Sequence, residues 1–209
     1  MLRYGLVLMI VLAGYGLSVA APGGSSPGEQ RVGQNYAAEK HYKDGLRHRD
    51  AAWVYEEKMA GTKGEKERGS YARFIQQTYE RAVVAFEKAI EQDAKFHQAY
   101  SSLGYVRRKT GDLPSALKAY DQALQLNPTY TEAIEYRAEA YFELGRIRDA
   151  QKAYQLLASL NKPHASRLLE FAEKWVDGHA DAEVQARISK WGKVKREELG
   201  DVKQWIEKW

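Results

Sequence analysis

Paired carboxylates and histidines are the side chains of this 209-residue chain that suggest chemistry. Glu135 and Glu139 are four residues apart and would share one face of a helix, where two carboxyl groups could in principle hydrolyse a glycoside. An exposed helical face gives no burial that would raise the pKa of either group and make it a general acid. We therefore expect no catalysis from this pair.

The histidines do not fall into a metal-binding or catalytic motif. His41 and His48 are seven residues apart, which on a helix places them on one face but about 10 Å from each other, too far to bind one metal ion. His97, His164 and His179 lie at the boundaries of predicted helical segments, where we expect solvated or helix-capping roles. No histidine, serine and acid form a recognisable catalytic motif.

Composition excludes several further functions. The chain has no cysteine, so disulfides, a thiolate nucleophile, cysteine zinc sites and c-type haem attachment are ruled out. The 32 Lys and Arg against 28 Asp and Glu leave a net charge of +4, too slight and too scattered to indicate a nucleic-acid partner. The glycine-containing stretch 61–66 lacks the spacing and the preceding strand of a phosphate loop. We expect neither enzyme activity nor a cofactor.

The first thirty residues predict export. A positive start at Arg3, an uncharged apolar run over residues 4–17 and small residues at 18–21 are typical of a signal peptide over residues 1–21. An uncleaved anchor is the alternative, because residues 4–21 carry no charge and reach the lower length limit of a membrane-spanning helix. An exported chain without disulfides favours the bacterial periplasm. Residues 22–33, rich in Gly, Pro and Ser, predict a flexible linker.

The centre of the chain has a helical repeat. From His97 to Ala165 the apolar residues recur at intervals of three and four, which predicts helices. Breaks at 111–112, 127–128 and 145–146 predict turns. Residues 97–130 align with residues 131–164 without a gap, with Ala99 over Ala133, Gly104 over Ala138, Ala116 over Ala150 and Tyr120 over Tyr154. Such self-similarity at a fixed period indicates a solenoid.

The aligned positions resemble the tetratricopeptide repeat. The first unit matches that family's pattern at Tyr100, Leu103, Gly104, Ala116, Tyr120 and Pro128; the second carries Ile134, Ala138, Tyr141, Ala150, Tyr154 and Leu157, with Pro163 one place late. Small residues in this pattern lie where helices cross closely, and Tyr120 and Tyr154 would fill the space beside them. The resemblance implies an all-α fold, a right-handed superhelical solenoid of antiparallel helix pairs with a C-terminal capping helical segment.

The resemblance is looser outside these two units. Residues 34–96 predict an elongated helical hairpin with helices near 36–59 and 70–92, on either side of the polar stretch 61–69. Residues 165–209 predict a degenerate unit ending at Gly178, followed by capping helices interrupted at Gly192 and Gly200. End units of a solenoid are commonly atypical because one of their faces has no neighbour.

In the tetratricopeptide family, function lies in a concave groove lined by the first helix of each unit. The groove residues that the resemblance implies are Gln98, Ser101, Ser102, Tyr105, Arg108, Lys109, Glu132, Glu135, Tyr136, Glu139, Phe142 and Glu143. One half of this set is basic and the other is acidic. Ser102 and Tyr136 replace the asparagine with which the family binds a free carboxylate terminus, so that ligand class is not expected.

The acidic stripe of Glu135, Glu139 and Glu143 has two interpretations. Arg107, Arg108 and Lys109 on the adjacent helix would neutralise it, since like charges four residues apart repel each other. Alternatively, the stripe together with Tyr136 and Phe142 would receive a basic, partly aromatic or helical peptide.

These observations predict an exported protein–protein interaction module or scaffold that binds a partner protein or peptide in its groove, with no nucleic acid and no metal. The alternative is a membrane-tethered structural or assembly protein of the cell envelope. It would be held by residues 4–21 and would assemble through the tryptophan-rich C-terminus, which contains Trp191, Trp205 and Trp209.

Overall fold

The computed structural model describes residues 27–179 and 181–200, and within these ranges every regular element is a helix. The described helices are α1 (Pro27–Gly61), α2 (Glu65–Gln92), α3 (His97–Lys109), α4 (Leu113–Leu126), α5 (Thr131–Glu143), α6 (Ile147–Leu160), α7 (Lys162–His179) and α8 (Ala182–Leu199). None of them is both long and apolar enough to cross a membrane. The predicted signal peptide or anchor, residues 1–21, lies outside the described residues.

The helices stack as antiparallel pairs in two layers. Each helix contacts the next one along the chain, and α1, α3, α5 and α7 also contact one another in that order. These four helices therefore form one layer, which we call the inner layer. The all-α solenoid expected from the repeat pattern is confirmed.

Glycine, aspartate and asparagine residues explain the turns. Gly111 and Gly145 end α3 and α5 in the left-handed region, with φ of 84° and 68°, a conformation that glycine adopts without a Cβ penalty. Asp112 then caps α4, because its carboxylate accepts a hydrogen bond from the backbone N–H of Ser115 at 3.2 Å. Asn161 links α6 to α7 and accepts from the N–H of His164 at 3.1 Å. The predicted turns thus fall between helices.

A small residue facing an aromatic ring brings paired helices together. A Cβ at Gly104 would lie 2.6 Å from the ring of Tyr120, so α3 and α4 approach more closely than alanine permits. Ala116, Ala138 and Ala150 have no exposed surface, which confirms the predicted close crossings. A Cβ at Gly45 would likewise lie 2.5 Å from the ring of Phe86. In the elongated hairpin, α1 and α2 therefore approach each other as closely as the paired helices of the regular units do. The sequence analysis missed this feature.

Three helix boundaries differ from the prediction. Helix α1 begins at Pro27, inside the predicted linker, because a proline in the first turn needs no backbone N–H partner. Helix α2 begins at Glu65 rather than near residue 70, since three residues suffice for the turn and Glu65 and Glu67 favour a helix N-terminus. Helix α8 continues through Gly192, which is buried in the helix, and ends with Gly200 at a φ of 73°.

Candidate binding groove

The inner layer forms a groove at the centre of the solenoid. Its cavity has a volume of about 340 Å³ and receives side chains from all four inner helices: Trp53, Tyr105, Arg108, Glu135, Tyr136, Glu139, Arg167, Glu170, Phe171 and Lys174. The groove continues past Phe171 into a second depression bounded by Glu143, Lys174 and Trp175.

One aromatic residue from each inner helix lines this groove. Trp53 of α1, Tyr105 of α3, Tyr136 of α5 and Phe171 of α7 are all partly exposed, and we call them the aromatic strip. The indole N–H of Trp53 donates to the hydroxyl of Tyr105 at 2.7 Å, and their rings are 5.7 Å apart. The rings of Tyr105 and Tyr136 are 5.1 Å apart in an edge-to-face arrangement. These contacts fix the orientation of the rings.

Arg108 occupies the middle of the groove. Its side chain is buried and forms salt bridges with Glu139 and with Glu143, the latter at 2.5 Å. The guanidinium lies 5.5 Å from the ring centroid of Tyr105 and 5.6 Å from that of Phe171. Arg108 thus joins α3 to α5 and supports two members of the aromatic strip.

Glu135 joins α5 to α7. Its carboxylate accepts two hydrogen bonds from Arg167, each 3.0 Å long, and lies 2.5 Å from Nδ1 of His164. Both Glu135 and His164 are buried. The expected solvated or capping role of His164 is therefore wrong, because α7 begins at Lys162 and turns this imidazole towards α5.

Burial is the main cause of the pKa shifts in the groove. It raises the pKa of the Glu139 carboxyl to about 7, although the neighbouring Arg108 acts in the opposite direction. Burial also raises the pKa of the Tyr105 hydroxyl to about 12 and raises that of Tyr136. Both phenols are therefore neutral at physiological pH and can donate hydrogen bonds.

The groove residues implied by the resemblance divide into two groups. Gln98, Tyr105, Lys109, Glu132, Tyr136 and Glu143 are partly or fully exposed, whereas Ser101, Ser102, Arg108, Glu135, Glu139 and Phe142 are buried. Phe142 has no exposed surface and packs against Trp175, with ring centroids 5.7 Å apart. It belongs to the core, so its expected role as an apolar anchor for a partner is corrected.

The three basic residues at the end of α3 have different partners. Only Arg108 reaches the acidic stripe, whereas Arg107 binds Glu87 at 2.7 Å and Lys109 binds Glu56 at 2.9 Å. Glu135 forms a salt bridge with Arg167, so each of the three carboxylates of the stripe is paired with an arginine of this protein. The interpretation in which the stripe is neutralised within the protein is therefore favoured over a free acidic surface.

The sequence analysis missed Arg167, Glu170, Phe171 and Lys174 because it assigned groove residues only to the two regular units. The buried residues Ile134, Ala138 and Phe142 recur 34 positions later as Leu168, Ala172 and Val176, so the core face of α7 keeps the period of the repeat. The groove positions were carried only onto α3 and α5. Extending the same period to α7 would have located Glu170, 34 residues after Tyr136, but not the other three residues.

The remaining histidines add no site. His41 and His48 line a shallow surface depression between α1 and α2. His97 contacts Asn127 at 3.2 Å, and the side chain of His179 lies outside the described residues. No group of three or more potential metal ligands occurs in the part of the chain that the structure describes.

Comparison with known proteins identifies the repeat. The family model for the TPR repeat matches residues 104–145, from the middle of α3 to the turn after α5. Residues 104–145 therefore match the tetratricopeptide repeat that the sequence pattern predicts, and this repeat is a protein–protein interaction module.

The curated relatives match only part of this chain. The Hsp70-Hsp90 organizing protein of Triticum aestivum is 29% identical over 101 residues, which cover 48% of this chain and 17% of the relative. The uncharacterized protein ycf37 of Pyropia yezoensis is 34% identical over 77 residues, 36% of this chain and 43% of the relative. The chain thus spans less than half the length of either relative.

Two solved structures have a similar fold. The first TPR of Spaghetti (RPAP3), bound to the HSP90 peptide SRMEEVD, has a TM-score of 0.45 and 18% identity, and covers 63% of this chain and 93% of that one. The protein MamA has a TM-score of 0.46 and 19% identity, with coverage of 82% and 94%.

Proposed function

We propose that this protein is an exported interaction module that binds a partner protein or peptide in the groove between α1, α3, α5 and α7. The aromatic strip carries the proposal. Its four rings come from four different helices and remain partly exposed although each is held by contacts within the protein. Rigid aromatic side chains of this kind dominate binding energies at protein interfaces.

The charges of the groove favour a partner recognised mainly through apolar and aromatic contacts. Glu135 and Glu139 are buried against internal cations, so a basic partner segment would meet chiefly Glu132, Glu143 and Glu170. The exposed side chains of Arg167 and Lys174 offset these carboxylates. A groove with balanced charge gives little electrostatic steering.

The HSP90 peptide SRMEEVD is not the ligand we expect. Spaghetti binds that peptide, but this chain has Ser102 and Tyr136 in place of asparagine. Ser102 is buried, and the ring of Tyr136 packs against Tyr105. Neither offers the amide that the family uses for a carboxylate terminus.

Affinity capture from the cell envelope tests the groove. Wild-type protein is compared with Phe171→Ala, which removes one ring of the aromatic strip, and with Phe74→Ala. Phe74 lies on α2 away from the groove and is 38% exposed, so it is a matched control. Captured proteins are identified by mass spectrometry, and circular dichroism establishes that both variants fold. The proposal requires that a partner be lost with Phe171→Ala and kept with Phe74→Ala. Capture of the same partners by the wild type and by both variants would contradict the proposal.

Export and anchoring are tested at the N-terminus. Sequencing the mature protein from an envelope fraction should find a start near residue 22, as expected after removal of residues 1–21. Retention of Met1 would instead favour the membrane-tethered structural protein, which assembles through the tryptophan-rich C-terminus.

A further inference from the structure

Residues 201–209 follow α8 and carry an apolar stripe. Val202, Trp205, Ile206 and Trp209 are spaced by three and four positions. The four charged side chains of the same segment, Asp201, Lys203, Glu207 and Lys208, cancel each other. This segment, which we call the tail, lies outside the described residues. Large apolar side chains and balanced charge are the features that the groove is suited to bind.

The tail leaves the fold beside the helix that forms one wall of the groove. The carbonyl oxygen of Leu199, at the end of α8, accepts from the ammonium group of Lys162 at 3.5 Å, and Lys162 is the first residue of α7. The wall residues Arg167, Glu170, Phe171 and Lys174 follow along the same helix. The tail therefore starts close to one end of the groove wall.

Chain direction also changes at this point. Helices α2, α4 and α6 each end in an extended residue, with φ between −139° and −155°, which leads the chain into the next inner helix. Helix α8 ends instead at Gly200 with φ of 73° and ψ of −167°. The chain consequently leaves α8 in a different direction from the one that continues the solenoid.

The length of the tail is sufficient to reach the aromatic strip. Nine residues span up to about 30 Å when extended. Phe171 lies nine residues along α7 from Lys162, which is about 14 Å in a helix. A segment of this length can reach Phe171 and Trp175 even if its path around α7 is indirect.

We infer that the tail of the same chain occupies the groove, with its tryptophans against the aromatic strip, until a partner displaces it. The inference rests on the proposed function because it takes the groove as a binding surface. A tethered segment binds at an effective concentration in the millimolar range, so even a weak contact keeps the groove filled. The partner must therefore present apolar anchors that compete with Trp205 and Trp209.

Disulfide trapping in the full chain tests this inference, since the protein has no cysteine of its own. One variant combines Lys208→Cys with Lys174→Cys at the groove. The control combines Lys208→Cys with Lys190→Cys, an exposed site on α8 ten residues before Gly200. Both are oxidised with oxidised glutathione, and intramolecular disulfides are followed by mass and by mobility without reductant. We expect the groove pair to react several-fold faster than the control.

A third variant adds Trp205→Ala and Trp209→Ala to the groove pair and should reduce its rate to that of the control. Equal rates for the two pairs, no effect of the tryptophan substitutions, or disulfides that mainly join two chains would each overturn the inference. The proposed function fails separately, because it depends on partner capture being sensitive to Phe171→Ala. If the groove cysteine pair reacts slowly while partner capture still depends on Phe171, the inference about the tail is wrong and the proposed function stands.

Discussion

Arg167 binds Glu135 through two parallel hydrogen bonds, Nε to Oε1 and Nη2 to Oε2, each 3.0 Å long. The carboxylate is the buried partner, with 3% of its side chain exposed, whereas the arginine side chain is 53% exposed towards the groove. Bidentate pairing of this kind fixes the plane of the guanidinium. Glu135 therefore orients a groove residue and holds α7 against α5.

Substitution of Glu135 tests this structural role. Glu135→Gln removes the charge that binds Arg167 and His164, and we expect the free energy of unfolding to fall by about 1–3 kcal/mol. Glu170→Gln is the control, because Glu170 lies in the same groove but is exposed, and a change within about 0.5 kcal/mol is expected there. Urea denaturation measures both. Equal effects would show that the buried contacts of Glu135 do not stabilise the fold.

Two glycines test the helix crossing. Gly104→Ala would place a Cβ 2.6 Å from the ring of Tyr120, and overpacking of this kind costs about 1–3 kcal/mol. Gly69 also lies within a helix, but a Cβ there meets nothing within 4 Å. Gly69→Ala should therefore stabilise the protein by about 0.5–1 kcal/mol through helix propensity. Thermal melts that moved in the same direction for both variants would refute the assigned crossing.

Protonation of Glu139 should make the stability of the protein depend on pH. Burial raises the pKa of this carboxyl from its ordinary 4.5 to about 7 in the folded state, so between these values the folded protein binds more protons than the unfolded chain. The contribution of Glu139 to stability therefore falls as pH rises from about 4.5 to 7, by at most about 1.4 kcal/mol per pH unit.

Comparison with Glu139→Gln isolates this effect from other titrating groups. The variant should lack the decline, so that its stability relative to the wild type improves between pH 5 and pH 7. Denaturation curves recorded at several pH values provide the measurement. Parallel pH profiles would mean that Glu139 keeps an ordinary pKa in the folded protein.

Binding in the groove should depend little on salt. The buried carboxylates have internal cations, and the exposed charges of Arg167, Glu170 and Lys174 largely cancel, so little attraction is left for salt to screen. Capture of the partner at 50 mM and at 500 mM NaCl should therefore recover similar amounts. A steep loss at high salt would favour the acidic stripe as the recognition surface.

The repeat units are the part of the fold that the sequence predicts best. Gly104 and Tyr120 recur as Ala138 and Tyr154, because in each regular unit a small residue on the first helix must leave room for a tyrosine ring on the second. Gly45 and Phe86 form the same contact, but they are farther apart in sequence than Gly104 and Tyr120, so the repeat alignment does not detect them. Local signals such as the glycines at 111 and 145 placed the turns correctly.

The groove was harder to predict because periodicity does not report burial. Phe142 occupies a family groove position, yet the rings of Phe171, Trp175 and Trp191 enclose it. Pairing of Arg108 with Glu139 and Glu143 depends on contacts between helices that a linear alignment does not contain. The remaining wall residues lie on α7, in a degenerate unit to which the repeat pattern assigned no groove positions.

Photo-crosslinking from the groove tests the central claim most directly. A photoreactive amino acid replaces Lys174 in the groove or, as a control, Lys118, which is exposed on α4 in the outer layer. Both proteins are expressed in the source organism and irradiated in intact cells, and adducts are identified by mass spectrometry. Our account predicts a discrete partner adduct from position 174 that disappears with Phe171→Ala and does not form from position 118. Partner adducts that form from position 118 and not from position 174 would contradict it.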